Sequence, residues 1–516
     1  MAPPPKDEPL LDLDEIQGNV IPGFKKNHQH FVFFSITDAA AARTCLNKLH
    51  KRLSSAAEVF EAHRAWKLLR EKLGKDPEAA QFLFLNIAFS ASGLRKLVST
   101  ADVDAFEDTA FKLGQAKRST FIGDPASAKE PGHADGWVVG GPKRVVDGLL
   151  ILASDDLPWL EEESKKLEAE LAAQGMKVEH KDRGSVKAAP KDGHEHFGFK
   201  DDISHPAVRG RRPKSPFDFV TPRTLPADKA FDTQRLDFGG PGNRLVWPGH
   251  FIFGYGRQNL DNPRTYEPSN QAVGPSWAKH GSLLVYRRLR QHPDVFWRFV
   301  QDAAAALAKA HPKSAPNKDR LAALLVGRWA SGTPVSRSAA SDVGITGDGL
   351  NYFAYADKLA PSLPGDTAPH AADPDGLICP LGAHIRKVNP RDQATDLGTR
   401  ERTPPRSLLR RGITYATKEG DKGLLFVAYQ SSIVEQFEFL MRQWVNKPDT
   451  PRNMAGHDPI LSQTRGRKFS LTIDGKLKEI TISKTFVEPT GGEYFFSPSI
   501  GFFKNQLAAA AKKARA

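Results

Sequence analysis

The segment Cys379-Pro-Leu-Gly-Ala-His-Ile-Arg-Lys-Val-Asn-Pro-Arg391 sets one histidine among apolar neighbours, then three cations and a rigid Asn-Pro corner. A neutral imidazole is the commonest protein ligand for a transition metal. Gly382 and Ala383 precede His384, small residues that leave room for something flat and bulky against its ring. Arg386, Lys387 and Arg391 give a density of positive charge suited to carboxylates or phosphates, and Asn389 braces the corner before Pro390. By itself the pattern also describes an ordinary loop histidine, and Arg391 has Asp392 and Asp396 nearby as partners for simple ion pairs. A catalytic reading needs a second constellation.

That constellation lies far upstream, in Gly198-Phe-Lys-Asp-Asp-Ile-Ser-His-Pro206. In isolation Asp201 reads as a loop aspartate making an Asx turn before Ile203. The stretch nevertheless resembles the glycine–aromatic–x–Asp–Gly–Ile–Ser signature of dye-decolorizing peroxidases. The Ala-His-Ile-Arg-x-x-Asn-Pro-Arg stretch at 383–391 is similar to that family's proximal-histidine segment, and Leu408-Leu-Arg-Arg-Gly-Ile-Thr-Tyr415 to its distal-arginine segment. All three occur in the family's order. The resemblance covers nearly the whole chain, residues 16–510. Gln436-Phe-Glu-Phe439, Trp444-Val-Asn446 and Asp458-Pro-Ile-Leu461 resemble its longer subgroup.

The resemblance implies a peroxidase carrying haem b, with hydrogen peroxide as oxidant and aromatic reductants such as dyes and phenols. His384 would bind the iron, with Asp458 behind it and Glu438 as the alternative. Such a carboxylate makes the imidazole more basic. Asp201 would take a proton from one peroxide oxygen and return it to the other, and Arg410 would stabilise the charge that develops. Arg411 is adjacent and is the alternative for that role. Arg386, Arg391 and Asn389 would serve the haem propionates. One departure stands out: Asp202 replaces the family's glycine, where a left-handed backbone or close approach is expected, and aspartate is among the few residues that tolerate it. A second carboxylate there would raise the pKa of Asp201 by repulsion or fix its geometry through a new hydrogen bond. His205 stands where relatives often have glutamine.

Apolar runs alternate with amphipathic ones. His30–Ile36, Phe82–Phe89, Gly148–Ala153, Gly249–Tyr255, Gly281–Arg287, Gly423–Tyr429 and Gly492–Pro498 read as strands. Ala39–Leu49, Trp159–Gln174, Val295–His311, Leu321–Trp329 and Ile433–Val445 read as helices, another begins near Ser92, and 177–243 reads as a long polar connection. The rhythm predicts an α+β protein. The resemblance sharpens this to two ferredoxin-like halves with antiparallel sheets, haem lying in the C-terminal half and facing the signature loop. The expected divisions are a disordered lead-in at 1–15, an N-terminal domain at 16–215, a haem-binding domain at 216–510 and a basic tail at 511–516.

The chain has 516 residues, ample for two large cores. Its net charge of +13 favours anions, so anionic aromatic reductants are expected. The basic residues are spread rather than concentrated, which argues against nucleic acid as partner. Two cysteines, Cys45 and Cys379, cannot make a disulfide framework. The first residues lack an apolar core of the secretory type and no run reaches membrane-spanning length, so no membrane association and a cytoplasmic setting are expected. His194 and His196, with Asp192 and Glu195, imitate a metal cluster, yet their alternating spacing in a polar loop favours surface histidines. Two rival readings remain at this level: a haem-handling protein of the same fold without turnover, and a basic nucleic-acid-binding protein in which His384 is structural. A carrier has no need of Asp201 and Arg410.

Overall fold

The computed structural model describes residues 8–513 apart from 78–80, 188–192, 214–216, 228–230, 233, 260–267, 272–273, 361–362 and 364–369. The apolar run β1 (His28–Ile36) is buried along nearly all its length, as an unbroken apolar strand must be. It joins β2 (Leu83–Ser90), β3 (Gly148–Ser154) and β4 (Met176–Ser185) in the order β4-β1-β3-β2. The second half repeats the arrangement with β5 (Ser282–Gln291), β6 (Leu409–Arg410), β7 (Ile413–Ala416), β8 (Lys422–Gln430) and β9 (Val487–Ser497). Here β9 pairs β5, β5 pairs β8, and β8 carries both β6 and β7. Each half is therefore ferredoxin-like, and every ladder of this sheet is antiparallel.

The halves share one sheet through a short junction, Phe89 opposite Phe496 and Ser90 opposite Phe495. The sheet then curls on itself. Phe33 of β1 meets Tyr286 of β5 with ring centroids 4.8 Å apart, although these strands are not sheet neighbours. At the far edges Thr414 donates its hydroxyl to the Ser185 carbonyl at 2.6 Å, drawing β7 to β4. The result is an α+β barrel whose interior holds Phe31, Phe33, Ile151, Leu284, Val427 and Phe495. Buried polar groups cross it too: Tyr286 donates to Asp182 at 2.5 Å, and Arg288 pairs with the same carboxylate at 3.0 Å.

Helices cover the outside. Helix α1 (Ala39–Leu49) starts where Asp38 accepts from the Ala40 amide, and α2 (Ala56–Leu73) starts at a Ser55–Glu58 capping box. In the first half α3 (Leu157–Ala173) follows, and in the second α4 (Pro293–Ala310), α5 (Lys318–Val326) and the short α6 (His384–Val388). Among the described residues no helix is long and apolar enough to cross a membrane.

Several expectations are corrected. Gly249–Tyr255 is not a strand but a turn, led by a 3-10 segment at Pro248–His250. A Cβ on Gly249 would lie 2.2 Å from the Tyr255 carbonyl oxygen, so the chain folds tightly back and buries Phe251 and Ile252 without a ladder. The polar connection expected from Lys177 begins instead with β4, whose buried positions include Met176 and Asp182. The lead-in expected to be disordered is packed from Glu8 onward: Leu11 and Leu13 are buried, and Glu8 accepts from the Gly210 amide at 2.9 Å. Residues 1–7, the 215/216 division and the tail from 514 lie outside the described residues, while 511–513 continue the helix Ala508–Lys513.

Candidate active site

Helix α5 stops at Gly327, whose φ of +93° is open to glycine, and a Cβ there would meet Ile385 at 2.5 Å. The chain can therefore run close beneath α6, which begins at His384. Gly382 and Ala383 serve the same close packing. A Cβ on Gly382 would lie 2.2 Å from the Ala455 carbonyl oxygen, and Ala383 is buried against Gly327. Their smallness serves protein packing rather than room beside the imidazole, a correction to the sequence reading.

His384 lines a cavity of about 900 Å³. Its Nδ1 donates to Asp458 at 2.7 Å, and Asp458 in turn accepts the amides of Ile460 and Leu461, each at 2.8 Å, on its other oxygen. Burial alone would push the Asp458 carboxyl up, but the imidazole and the two amides outweigh it and hold it below the usual range. Likewise burial works to lower His384, and the Asp458 charge overcomes it and raises the imidazole. With Nδ1 committed, Nε2 is the nitrogen left for a ligand. Glu438, the alternative acid, is occupied elsewhere: it pairs with Arg118 and accepts from Tyr494 at 3.1 Å.

A second wall comes from the loop 193–206. Glu195 folds it by accepting the amides of Phe197 at 2.7 Å and Phe199 at 2.8 Å and the side-chain amide of Gln291 at 2.6 Å. Both phenylalanines are buried, and the Asp201 amide donates to the Gly193 carbonyl at 2.8 Å, which delivers Asp201 to the cavity. Arg410 reaches the same space from β6. Its Nη1 lies 3.9 Å from Asp201 and its Nη2 donates to the Ser204 carbonyl at 3.0 Å. Arg411 instead donates to the carbonyls of Asn19, Val20 and Arg410, so the adjacent-residue alternative is set aside.

Two further guanidiniums meet at Ser204. Arg391 donates to the carbonyls of Asn351 and Phe353, each at 3.1 Å, and approaches the Ser204 hydroxyl at 3.4 Å. Asn389 accepts its backbone amide at 3.3 Å, helping to hold a φ of +54°. Neither suggested ion partner takes Arg391: Asp392 caps the amides of Tyr355, Ala356 and Asp357, and Asp396 accepts from Trp444. Arg328, which the sequence reading placed inside a helix, is the unforeseen member. Left outside α5 by the turn at Gly327, it donates to Leu350 at 2.7 Å and Ser204 at 2.9 Å. Burial, then the Arg391 charge, lowers Arg328 to about 9, and burial lowers Arg391 to about 10. Among the described residues no carboxylate pairs with either.

Arg386 is a correction. It is 1% exposed, does not line the cavity, and pairs with Asp373 at 2.9 Å beneath the Tyr355 ring. Two residues along a helix turn a side chain roughly 200° away from His384, which points it into the protein. Lys387 is likewise spent on the carbonyls of Lys447, Thr450 and Gly456.

Asp202 has the left-handed backbone expected there, with φ of +59°. Its carboxylate meets His205 Nε2 at 2.5 Å, a hydrogen bond within the same loop. Of the residues at 192–196 that were read as surface groups, His196 faces the Tyr415 carbonyl at 2.9 Å, and Asp192 lies outside the described residues.

The donor set fits haem. An apolar space lined by Phe426, Leu424, Val388 and Leu461 would take the ring, His384 Nε2 the iron, and the uncompensated Arg328 and Arg391 the carboxylates.

Comparison with known proteins gives the family. Residues 15–188 match the family model described as the DyP dimeric alpha+beta barrel domain, and residues 256–457 match that of Dyp-type peroxidase, C-terminal. Dye-decolorizing peroxidase msp1 of Mycetinis scorodonius is 30% identical over 527 residues, covering 96% of this chain and 88% of that protein. An ancestral D-type dye decolorizing peroxidase superposes with a TM-score of 0.74 at 30% identity, covering 96% of this chain and 99% of that one. A dye-decolorizing peroxidase solved in complex with 2,6-dimethoxyphenol gives 0.71 at 27% identity, over 97% of this chain and 100% of that one. By the two family models, which together span more than half its length, the chain belongs to the dye-decolorizing peroxidase family.

Proposed function

We propose that the chain is a haem b peroxidase that uses hydrogen peroxide to oxidise dyes and phenols, with His384 as iron ligand. One observation carries the reading: a single cavity is lined by a carboxylate-backed imidazole and, separately, by a carboxylate beside a guanidinium. When bound, haem supplies the redox chemistry, taking two electrons' worth of oxidising power from peroxide and returning it to reductants one electron at a time. The protein's own part is positional and protonic. Asp458 holds the Nδ1–H of His384 and so aims Nε2. Asp201 accepts a proton from the nearer peroxide oxygen at its carboxylate and delivers it to the farther one, which leaves as water. Arg410 stabilises the negative charge on that departing oxygen. Arg328 and Arg391, with Asn389 fixing the Arg391 backbone, receive the haem carboxylates.

The net charge of +13 supports anionic reductants, and a second cleft beside the site presents Lys25, His63, Lys67 and Arg411. The division into a domain ending in the loop that bears Asp201 and a second bearing His384 and Arg410, and a cytoplasmic setting, belong to the same proposal. Reconstitution with haem tests it. A Soret band with a nitrogen-ligated ferric spectrum, changing on addition of peroxide and returning with 2,6-dimethoxyphenol, is the expected result. The pyridine haemochrome spectrum identifies the haem type. Absence of a Soret band sinks the reading.

A further inference from the structure

We propose that Ser204 is a positioning residue for Arg410: its hydroxyl is clamped by the arginines set out for the haem carboxylates, and its carbonyl aims the distal guanidinium. The inference rests on the role given to Arg410 above and extends it to a residue that acts through that guanidinium alone.

Little else holds Arg410. It enters the cavity from the two-residue strand β6, and among the described residues its guanidinium makes one hydrogen bond, from Nη2 to the Ser204 carbonyl at 3.0 Å. Its Nη1 stops 3.9 Å from Asp201, too far for a hydrogen bond, and the side chain is 35% exposed. A guanidinium carries five donors in a rigid fork, so anchoring one nitrogen to a fixed acceptor limits where the others can point. The aim of Arg410 is then only as good as the placing of that carbonyl.

The carbonyl is well placed because the hydroxyl of the same residue is saturated. A serine hydroxyl donates once and accepts twice. Here it donates to Asn351 Oδ1 and accepts from Arg328 Nη2 at 2.9 Å and, at longer range, from Arg391 Nη2 at 3.4 Å. Asn351 also donates its side-chain amide to the Ile203 carbonyl at 2.9 Å, so it holds the loop at two successive residues. The anchors are fixed in turn. Arg328 Nη1 donates to the carbonyls of Gly332 at 2.8 Å and Leu350 at 2.7 Å, and the Arg391 guanidinium lies 3.6 Å from the centroid of the Phe353 ring. Two guanidiniums thus converge on the hydroxyl of the residue whose carbonyl holds a third.

That convergence has an electrostatic side. Burial lowers Arg328, and the charges of Arg391 and Arg410 lower it further. Neither Arg328 nor Arg391 has a carboxylate partner among the described residues. Haem carboxylates seated on these two arginines offset the repulsion around Ser204, so both can keep the hydroxyl while Arg410 keeps the carbonyl.

Ser204→Ala removes the hydroxyl and leaves the carbonyl. In the haem-loaded protein we expect it to slow the peroxide-dependent Soret change about tenfold, a part of the loss in Arg410→Ala. Fluoride binds ferric iron without turnover and accepts from a nearby guanidinium, so its affinity, read from the absorption spectrum, should fall in both variants. Haem content should stay normal. Protection of the Phe197 and Phe199 amides should also persist, since Glu195 folds that part of the loop. The double variant is decisive. If Ser204 acts through Arg410, Ser204→Ala should cost nothing further in an Arg410→Ala background, for rate and for fluoride affinity alike. Ser204→Cys keeps the bulk but offers only a weakly bonding thiol, so it should match Ser204→Ala and replaces it should that variant not fold. In the apoprotein, NMR of the arginine side-chain N–H groups should show one guanidinium, absent from Arg410→Ala, whose restricted rotation is lost in Ser204→Ala. The positioning role is overturned if Ser204→Ala keeps the wild-type rate and fluoride affinity, or if that rotation is unchanged. It is equally overturned if the losses add in full to those of Arg410→Ala, because that is the behaviour of a general loop brace. A slow Arg410→Ala beside a normal Ser204→Ala removes the positioning role alone, and a normal Arg410→Ala removes the role of Arg410 and this inference with it.

Discussion

The proximal and distal walls of the cavity are built to different tolerances. Behind His384 the polar groups are saturated: a 2.7 Å bond to a carboxylate whose second oxygen is held by two amides, with Asp458 fully buried. Across the cavity Arg410 stands 3.9 Å from Asp201, and these side chains remain 35% and 40% exposed. Under the proposed function the difference follows from the tasks. An iron ligand must be aimed before the cofactor arrives, so its supports are fixed in the fold. A group that trades protons with a small substrate needs room for that substrate and a route to solvent, and its hydrogen bonds tighten only in the complex.

The sharpest way to break this comparison is at the ligand itself. His384→Ala should lose most of its haem, or keep it with a spectrum lacking nitrogen ligation, in absorbance of the purified protein. Retention of a normal ferric spectrum would remove His384 from the proximal wall. Next in size are the distal groups. Asp201→Ala and Arg410→Ala should each slow the peroxide-dependent Soret change by about a hundredfold or more while haem content stays normal. The double variant should lose less than the product of the two, since both act on one peroxide. Rates within about threefold of wild type, measured by stopped flow, would end the distal assignment.

A smaller effect sharpens the contrast from the proximal side. Asp458→Asn keeps an acceptor for the Ile460 and Leu461 amides but loses the charge behind His384. We expect haem affinity to fall about ten- to a hundredfold, read by transfer to apomyoglobin, with peroxide reactivity of the loaded fraction less affected than in Asp201→Ala. Arg386 supplies a control. Its buried pair with Asp373 means Arg386→Ala should destabilise by about 3–5 kcal/mol in urea unfolding, while haem content per folded molecule is preserved. Loss of haem without loss of stability would return Arg386 to the propionate role.

The same contrast explains what was legible in the sequence. The continuous apolar runs His30–Ile36 and Gly148–Ala153 pointed to buried strands, and both lie within strands buried along nearly all their length. Gly249–Tyr255 carries an equally apolar run and folds into a turn. Composition reports burial, whereas backbone path depended on glycines packed against carbonyls. At the site, His384, Asp201, Arg410 and Asp458 lie in segments that resembled known ones, and they converge on or directly behind one cavity. Arg328 was hidden because helix periodicity ran straight through Gly327, and only the left-handed turn there redirects the guanidinium. Arg386 misled because spacing along the chain was taken for proximity, when helical rotation sends it away from its neighbour.

The smallest predicted effect tests the loose wall by acid. His196 anchors the distal loop to the Tyr415 carbonyl, and burial first, then Lys187 and Lys422, lowers its imidazole to about 4. In the unfolded chain a histidine titrates near about 6.5. Between those values the open loop holds more protons than the folded one, so this contribution to loop stability is complete above the upper value and declines as pH falls through the window. Glu195, whose carboxyl burial pushes up, has the opposite sign: the folded loop holds its proton more readily, which favours the folded loop as pH falls. The histidine should prevail, because protonation places a charge where two lysines already repel it. Hydrogen exchange at the Phe197 and Phe199 amides, both bonded to Glu195, reads the balance once corrected for intrinsic rates. Wild type should lose protection there on acidification, before the amides of Ile460 and Leu461 behind the proximal histidine lose theirs. His196→Gln retains a donor for Tyr415 and cannot titrate, so its loop should hold level or gain protection over the same range. An unaltered slope in that variant would mean that His196 is already protonated in the folded loop, and the distal wall would owe its looseness to something other than this imidazole.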